Sequence, residues 1–251
     1  MHRVTFAAVV MFALGVFTAT AQSAEIRLVS SVALKAAMDG LLPHFEQASA
    51  HKVTALYGTA ADQKKSIDGG EQFDVAILTP EQIDDLIKNG KASSRVDLAR
   101  TAAGFAIRAG ALKPDISNNE KLKAFLLGVK SIGHGDPAAG GFSTVYFDKT
   151  AAGIGIADDL KSKWMPCGPG ECAIPVAKGE AEIGIAVSSE VVPVPGVEFV
   201  ALKPADPASY ISFTAAIAAN PKDIEATRAL LAFLGSPSAK EAFKAKGLIT
   251  P

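Results

Sequence analysis

The sequence predicts an α/β fold of two lobes, each a mostly parallel, doubly wound sheet, with a ligand cleft between them. Three observations carry that expectation. Short apolar runs alternate with stretches of helical periodicity along the chain. Three strand-helix units follow one another before residue 90, the order that builds a parallel sheet. The 251 residues are enough for one large domain or for two lobes of roughly 100 to 130 residues each.

Residues 26–29 read as the first strand, and the helix after it places Leu34, Met38, Leu41 and Phe45 on one stripe, with Gly40 and Pro43 expected to bend it. Residues 53–57 are the second strand. Gly58 then makes a tight turn, Thr59 stands as N-cap with Asp62 three positions on, and the helix stops at Gly69-Gly70. Residues 73–78 form the third strand. The next helix has an explicit start, with Thr79 as N-cap, Pro80 at the first helical position and Gln82 completing a capping box, and it ends at Asn89-Gly90. Residues 102–109 predict another strand, and residues 113–117 turn the chain into a helix around Leu122, Phe125 and Leu126. Further strands are expected at 131–133, 182–187, 197–202 and 211–218. Two helices close the chain, begun at Asn220-Pro221 and Ser236-Pro237 and ended by Gly235 and Gly247. Breaks near Gly104 and in the Pro- and Ala-rich segment 203–208 divide the chain into one lobe of residues 22–104 and 206–251 and a second, inserted lobe of residues 105–205. In that arrangement strand ends of both lobes face one cleft.

Residues 1–21 read as a secretory signal peptide. His2 and Arg3 form a basic start, residues 4–17 carry no charge, and Ala19-Thr20-Ala21 supplies the small-x-small pattern of a cleavage site. Fourteen apolar residues are too few for a membrane core that needs about 20. The expected location is therefore the periplasm. The whole chain has 25 basic and 26 acidic side chains; losing Arg3 and no acid leaves 24 against 26, a net charge of -2. With no Lys/Arg run to neutralise phosphates, a nucleic-acid partner is not expected. The 49% hydrophobic content excludes a disordered chain. In an exported protein, Cys167 and Cys172, separated by a Gly-Pro-Gly turn, read as a local disulfide. No metal site is expected, since His44, His51 and His134 lack zinc-motif spacing.

No catalytic constellation stands out. Gly141-Phe142-Ser143-Thr144-Val145 begins like a nucleophile elbow but lacks its second small residue, and no Gly-rich phosphate loop is present. What recurs is a strand end of hydroxyl or glycine residues leading into a helix: Ser30-Ser31, Gly58-Thr59-Ala60, Gly140-Gly141-Phe142-Ser143-Thr144 and, after Val187, Ser188-Ser189. Helix N-termini expose unpaired N–H groups and the positive end of the helix dipole, so several aimed at one cleft make an anion site without Lys or Arg. Each alone is an ordinary cap; their repetition points to a small anionic ligand.

With these residues in view, the chain resembles the periplasmic solute-binding proteins of ABC importers, specifically the molybdate-binding-like family. The resemblance spans essentially the whole mature chain. Its marks are Ile26-Arg27-Leu28-Val29 before Leu34-Lys35-Ala36-Ala37-Met38, then Tyr57-Gly58-Thr59, Phe73-Asp74-Val75-Ala76-Ile77-Leu78, residues 108–117, and residues 176–184. It implies a two-lobed periplasmic binding protein fold that closes on its ligand and hands it to a permease in the inner membrane. It also implies ligand positions. The family's first serine donor matches Ala33, with Ser30 and Ser31 displaced; its second falls at Thr59 or Ala60; its tyrosine falls on Val187. Each lost hydroxyl donor leaves an acceptor unpaired at about 1 to 3 kcal/mol, which argues against tight molybdate binding.

A carboxylate is the other anion to consider, because Arg100 and Arg108 flank the expected hinge strand and a guanidinium grips carboxylates bidentately. His134 ends the 131–133 strand on the cleft side and is a further donor candidate. The expected protein is thus a monomeric, cofactor-free binding component that takes a molybdate-like oxyanion or a small organic carboxylate. Two alternatives share the residues: an exported hydrolase using Ser143 or Ser31 with His134, and a sensor that docks its loaded form on a receptor.

Overall fold

The computed structural model describes residues 23–251, so the expected signal peptide, residues 1–21, lies outside the described residues. The first lobe starts with β1 (Glu25–Ser31), α1 (Lys35–Ser49), β2 (Lys52–Gly58), α2 (Ala60–Asp68), β3 (Val75–Leu78) and α3 (Pro80–Lys88). A long strand, β4 (Ala92–Arg108), then carries the chain into the second lobe: α4 (Asn119–Gly128), β5 (Ile132–Gly135), α5 (Phe142–Gly153), α6 (Ala157–Leu160), β6 (Trp164–Cys167), α7 (Ile174–Lys178), β7 (Ile183–Val187), α8 (Ser188–Val191) and β8 (Val197–Ala201). Strand β9 (Tyr210–Ala218) returns to the first lobe, which α9 (Ile224–Leu234) and α10 (Pro237–Ala245) complete.

In each lobe three parallel strands meet an antiparallel pair of connecting strands. β1 lies parallel between β2 and β3, β3 pairs antiparallel with β9, and β9 with the first half of β4 up to Ala102↔Tyr210. From Ala103 onward β4 changes neighbours, running antiparallel to β7 on one side and β8 on the other. β5 lies parallel to both β7 and β6. Side chains alternate across the sheet, and both faces are covered. On β3, Val75 and Ile77 pack with Leu34, Met38, Phe45, Leu230 and Phe243 from α9, α10 and the α1 side, whereas Ala76 and Leu78 pack with Ile67, Ile83 and Leu86 from α2 and α3. In the second lobe Phe105, Leu126, Phe147, Leu160, Ile183 and Ile185 form one core and Ala106, Val176, Ala186 and Val191 another.

Where the sequence carries punctuation, the elements begin as read. Thr59 caps α2 by accepting from the Asp62 N–H, Thr79 and Gln82 form the reciprocal capping box of α3, and Ser236 caps α10. The expected disulfide joins Cys167 to Cys172. Three expectations need correction. β4 begins at Ala92, ten residues before the expected strand; its first half exposes Ser93, Ser94, Arg95 and Asp97 and has irregular register at Ser93/Arg95 and Asp97/Ala99, which break the alternation. β6 gave no strand signal because Pro166 interrupts it, a position tolerated at the edge of the sheet. α9 starts at Ile224 under Asp223, which accepts from the Glu225 and Ala226 N–H groups, so Asn220-Pro221 precedes the helix. The first helix spans Lys35–Ser49 with Gly40 and Pro43 inside it.

Gly184 shows how tightly the second lobe is assembled. A Cβ there would lie 2.0 Å from the Cys172 carbonyl oxygen, because the segment after the disulfide loop rests directly on β7. Gly184→Ala is expected to lower unfolding stability by about 3 kcal/mol through overpacking against backbone, read as a lower urea midpoint at unchanged slope.

Candidate functional site

Three helices present their first turns to one cavity of about 270 Å³ between the lobes. Thr59, Ala60 and Ala61 enter the wall from α2, Thr79 and Gln82 from α3, and Gly141, Phe142, Ser143 and Thr144 from α5. The caps of α2 and α3 are filled by threonine hydroxyls, but α5 opens on Gly141 with no side-chain cap. Its first-turn N–H groups are therefore the freest donors in the wall. Gly140, at φ 66°, makes the entry to α5 possible, and its Cβ position lies 2.9 Å from the Ala61 methyl group, so only glycine lets the two lobes approach here. The Thr59 Oγ1 donates across the same gap to the Ala139 carbonyl at 2.7 Å. The lobes thus meet by direct contact at the rim.

The rest of the wall is apolar on one side and carries the disulfide loop on another. Val32, Ala33, Val187, Ile211 and Phe213 face Cys167, Gly168, Pro169, Gly170 and Cys172. Among the described residues no lysine or arginine lines the cavity, and the two ionisable side chains there, Asp136 and Glu190, are both acids. Asp136 accepts from the Ala138 N–H at 2.9 Å and so holds the turn before Gly140. Glu190 receives a single long hydrogen bond, from the Val187 N–H to Oε2 at 3.3 Å. Burial pushes its carboxyl up to about 7, with the Val187 N–H working against that rise. The surface it keeps opens onto the cavity.

The structure brings together some of the residues expected from the sequence and separates others. Ser31, Thr59, Ala60, Ser143, Thr144 and Val187 all line the cavity, and Ala33 stands beside Ser31. Ser30 is fully buried behind the wall, its hydroxyl donating to the Ser31 carbonyl. Ser188 is turned the other way: its Oγ donates to the Gly247 carbonyl at 2.6 Å and meets the Thr101 hydroxyl at 2.8 Å, where β4 changes lobes. Arg100 and Arg108 are exposed and outside the wall. Arg100 lies over the Tyr210 ring at 5.0 Å, and Arg108 ends β4 beside Gly179. A guanidinium clamp on a ligand in this cavity is therefore not formed by either.

His134 also falls outside the wall. It is buried, stacked on Trp164 at 4.0 Å, and hydrogen-bonded through Nε2 to Asp148 at 2.8 Å. Its neighbour Gly135 faces the cavity instead, as strand alternation requires. The Ser31 Oγ accepts from the Ala33 N–H in its own turn. The nucleophile–base contact that a hydrolase with Ser31 or Ser143 and His134 would need is thus absent from the hydrogen bonds of the described residues. Sequence reasoning missed Gln82, Asp136 and Glu190. Glu190 had a signal: it is the acid in Val187-Ser188-Ser189-Glu190, a strand end already singled out for its hydroxyls.

Residues 26–249 match the family model described as bacterial extracellular solute-binding protein. An aconitate isomerase from Pseudomonas sp is 29% identical over 231 residues, covering 89% of this chain and 87% of that protein. Among solved structures, the periplasmic molybdate-binding protein of Azotobacter vinelandii superposes with a TM-score of 0.72 at 18% identity, over 90% of this chain and 99% of that one. The sulfate-binding protein SubI of Mycobacterium tuberculosis H37Rv superposes with a TM-score of 0.63 at 20% identity, over 90% and 86%. At such identities these structures speak for the fold: two lobes around one cleft. Because the family match spans all but the ends of the described residues, this chain belongs to the bacterial extracellular solute-binding proteins.

Proposed function

We propose that this protein is the periplasmic substrate-binding component of an ABC importer, taking a small polycarboxylate anion into the interlobe cavity and delivering it to a permease. The observation that carries the reading is an interlobe cavity in which three helix N-termini converge and no basic side chain of the described residues takes part. Backbone N–H groups and helix dipoles can hold carboxylate groups there, and they can outweigh a net charge of -1 for the whole chain because they act locally. The apolar side of the wall, Val32, Ala33, Ile211 and Phe213, suits a ligand with a carbon frame better than a bare tetrahedral oxyanion. The relative named aconitate isomerase acts, by that name, on a tricarboxylate.

The lobe limits proposed with this function are 22–104 with 206–251 against 105–205. The exchange of β4 partners between Ala102 and Ala103 supports them. Export rests on residues 1–21, and delivery to a permease rather than to a sensor rests on the family alone. A second reading, an isomerase, is favoured by one observation besides that relative: Glu190, a carboxyl in the wall able to exchange a proton near neutral pH.

A thermal-shift panel of molybdate, tungstate, sulfate, phosphate, malate, citrate and trans-aconitate tests the first reading. A ligand at 100 times its Kd adds about 2.7 kcal/mol, which for a chain of this size raises Tm by roughly 5–10 °C. We expect that rise with a polycarboxylate; a rise with molybdate alone would refute the carboxylate assignment. Thr59→Val, which removes the contact across the rim, is expected to cost about 1 kcal/mol of stability as a lost cap and to weaken the active anion roughly 10-fold, checked by calorimetry. The isomerase reading predicts exchange of ligand C–H protons with D2O when trans-aconitate is incubated with the protein, seen by proton NMR and lost in Glu190→Gln; binding without exchange leaves the protein a binder only.

A further inference from the structure

Every polar group in the cavity wall except one has an assignment as cap, turn former or anion donor. The exception is Glu190. Its carboxyl is enclosed, opens on the ligand space, and is held by one 3.3 Å hydrogen bond to its own strand end. Oε1 lies against Gly170, 3.7 Å from where a Cβ of that residue would stand, so the glycine of the disulfide loop leaves it room.

Among the described residues no cation reaches it. Helix α8 packs against β4, β7, β8 and the 32–34 turn. β7 and the turn carry no ionisable side chain. On β4, Arg95 is engaged with Asp84 and Asp97, Arg100 lies over Tyr210, and Arg108 is exposed beside Gly179. On β8, Glu198 pairs with Lys113. In the disulfide loop, Glu171 is exposed and folds its Oε2 toward Gly168. The other charged group of the wall, Asp136, is itself an acid. An anion entering this space would therefore meet a second bare negative charge with nothing between them, an arrangement two carboxylates resolve by sharing a proton.

We propose that Glu190 is a ligand-contacting, specificity-determining residue: it meets a small polycarboxylate as the neutral acid and donates its proton in a hydrogen bond to one of the ligand's carboxylate oxygens, so that ligand and proton bind together. The inference rests on the polycarboxylate reading above and adds to it the proton and the residue. Its chemistry is a proton held on Glu190 Oε and shared with a ligand oxygen; no covalent bond of the ligand is broken. The site then selects anions with an acceptor oxygen to spare beyond those held by the helix N-termini. The burial that raises the Glu190 carboxyl to about 7 in the free protein means the acid must be reloaded with a proton above that pH, at the expense of affinity.

The test is isothermal titration of citrate and of trans-aconitate into the full mature protein from pH 6 to 9, with proton uptake counted at pH 8 and above, where both ligands are fully ionised. Each pH is run in two buffers of different ionisation enthalpy, so that protons taken up per ligand are counted directly. We expect uptake approaching one proton per ligand at pH 8 and above, and a Kd that rises nearly tenfold per pH unit there. Glu190→Gln keeps a donor without a titration; it should bind with no proton uptake, hold a flat Kd, and bind more tightly than wild type at pH 9. The free proteins give a check independent of ligand. A carboxyl raised from 4.5 to about 7 in the folded state stabilises below 4.5 relative to higher pH, so wild type should lose stability relative to Glu190→Gln between those values and stay parallel above. Ligand binding with a flat Kd and no proton uptake in wild type overturns this inference alone. Failure of both tricarboxylates to bind at any pH overturns it, and failure of malate as well overturns the polycarboxylate reading with it.

Discussion

A strand that leaves one sheet and enters another has to keep its backbone N–H and C=O groups paired throughout, and that requirement on β4 organises this molecule. Up to Ala102 the strand bonds to β9; from Ala103 it is enclosed by β7 and β8. Where the partners change, side chains take up the pairing. Thr101, fully buried, accepts from the Ser189 N–H and bonds to the Ser188 hydroxyl, which in turn donates to the Gly247 carbonyl near the C-terminus. Arg100 exchanges two backbone hydrogen bonds with Ile249, closing the same crossing from the other side. The lobes are therefore held in sequence by a paired strand and its polar collar, and the cavity sits beside this crossing, not at the far end of either lobe.

The electrostatics of the cavity follow from what surrounds it. With no lysine or arginine in the wall, positive potential comes from backbone dipoles at α2, α3 and α5, which are fixed by the fold and carry no side-chain entropy. Such donors are directional, so they favour ligands whose oxygens sit at separated points on a frame. The same absence of cations leaves Glu190 without compensation, and burial then acts on it unopposed except by one N–H. A wall with both properties can accept negative charge and hold a proton at once. The disulfide loop contributes by shape: Gly168, Pro169 and Gly170 bring backbone close to the ligand space, and the Cys167–Cys172 bond keeps that loop narrow.

Much of the architecture could be read from the chain because its helices are punctuated locally. Thr59, Thr79 and Ser236 cap helices through bonds that reach only three residues, so their meaning survives without tertiary context. The fully buried strands are equally legible, since both faces demand apolar residues and the run 75–78 has no alternative. The first half of β4 was hidden because one of its faces is solvent and its register is irregular, and β6 because a proline occupies an edge. In the site, the hydroxyl-before-helix pattern named Ser31, Thr59, Ser143 and Thr144, which line one cavity, and also Ser30 and Ser188, which do not, since a strand end fixes the place of a residue but not the direction of its side chain.

The amino-acid sequence by itself determined the alternation of strands and helices, the capped helix starts and the local disulfide, because each depends on residues close in the chain. Tertiary structure alone decided which side chains face the ligand space. His134 and Gly135 are adjacent on β5, yet strand alternation sends the histidine to Trp164 and Asp148 and leaves the glycine at the cavity. Ser188 and Glu190 lie two residues apart in α8, and the tight turn of that helix gives the serine to the crossing and the acid to the cavity wall. Direction at a strand end or in a single helical turn is set by what packs behind it, and that is a property of residues 14 to 87 positions away in these two cases.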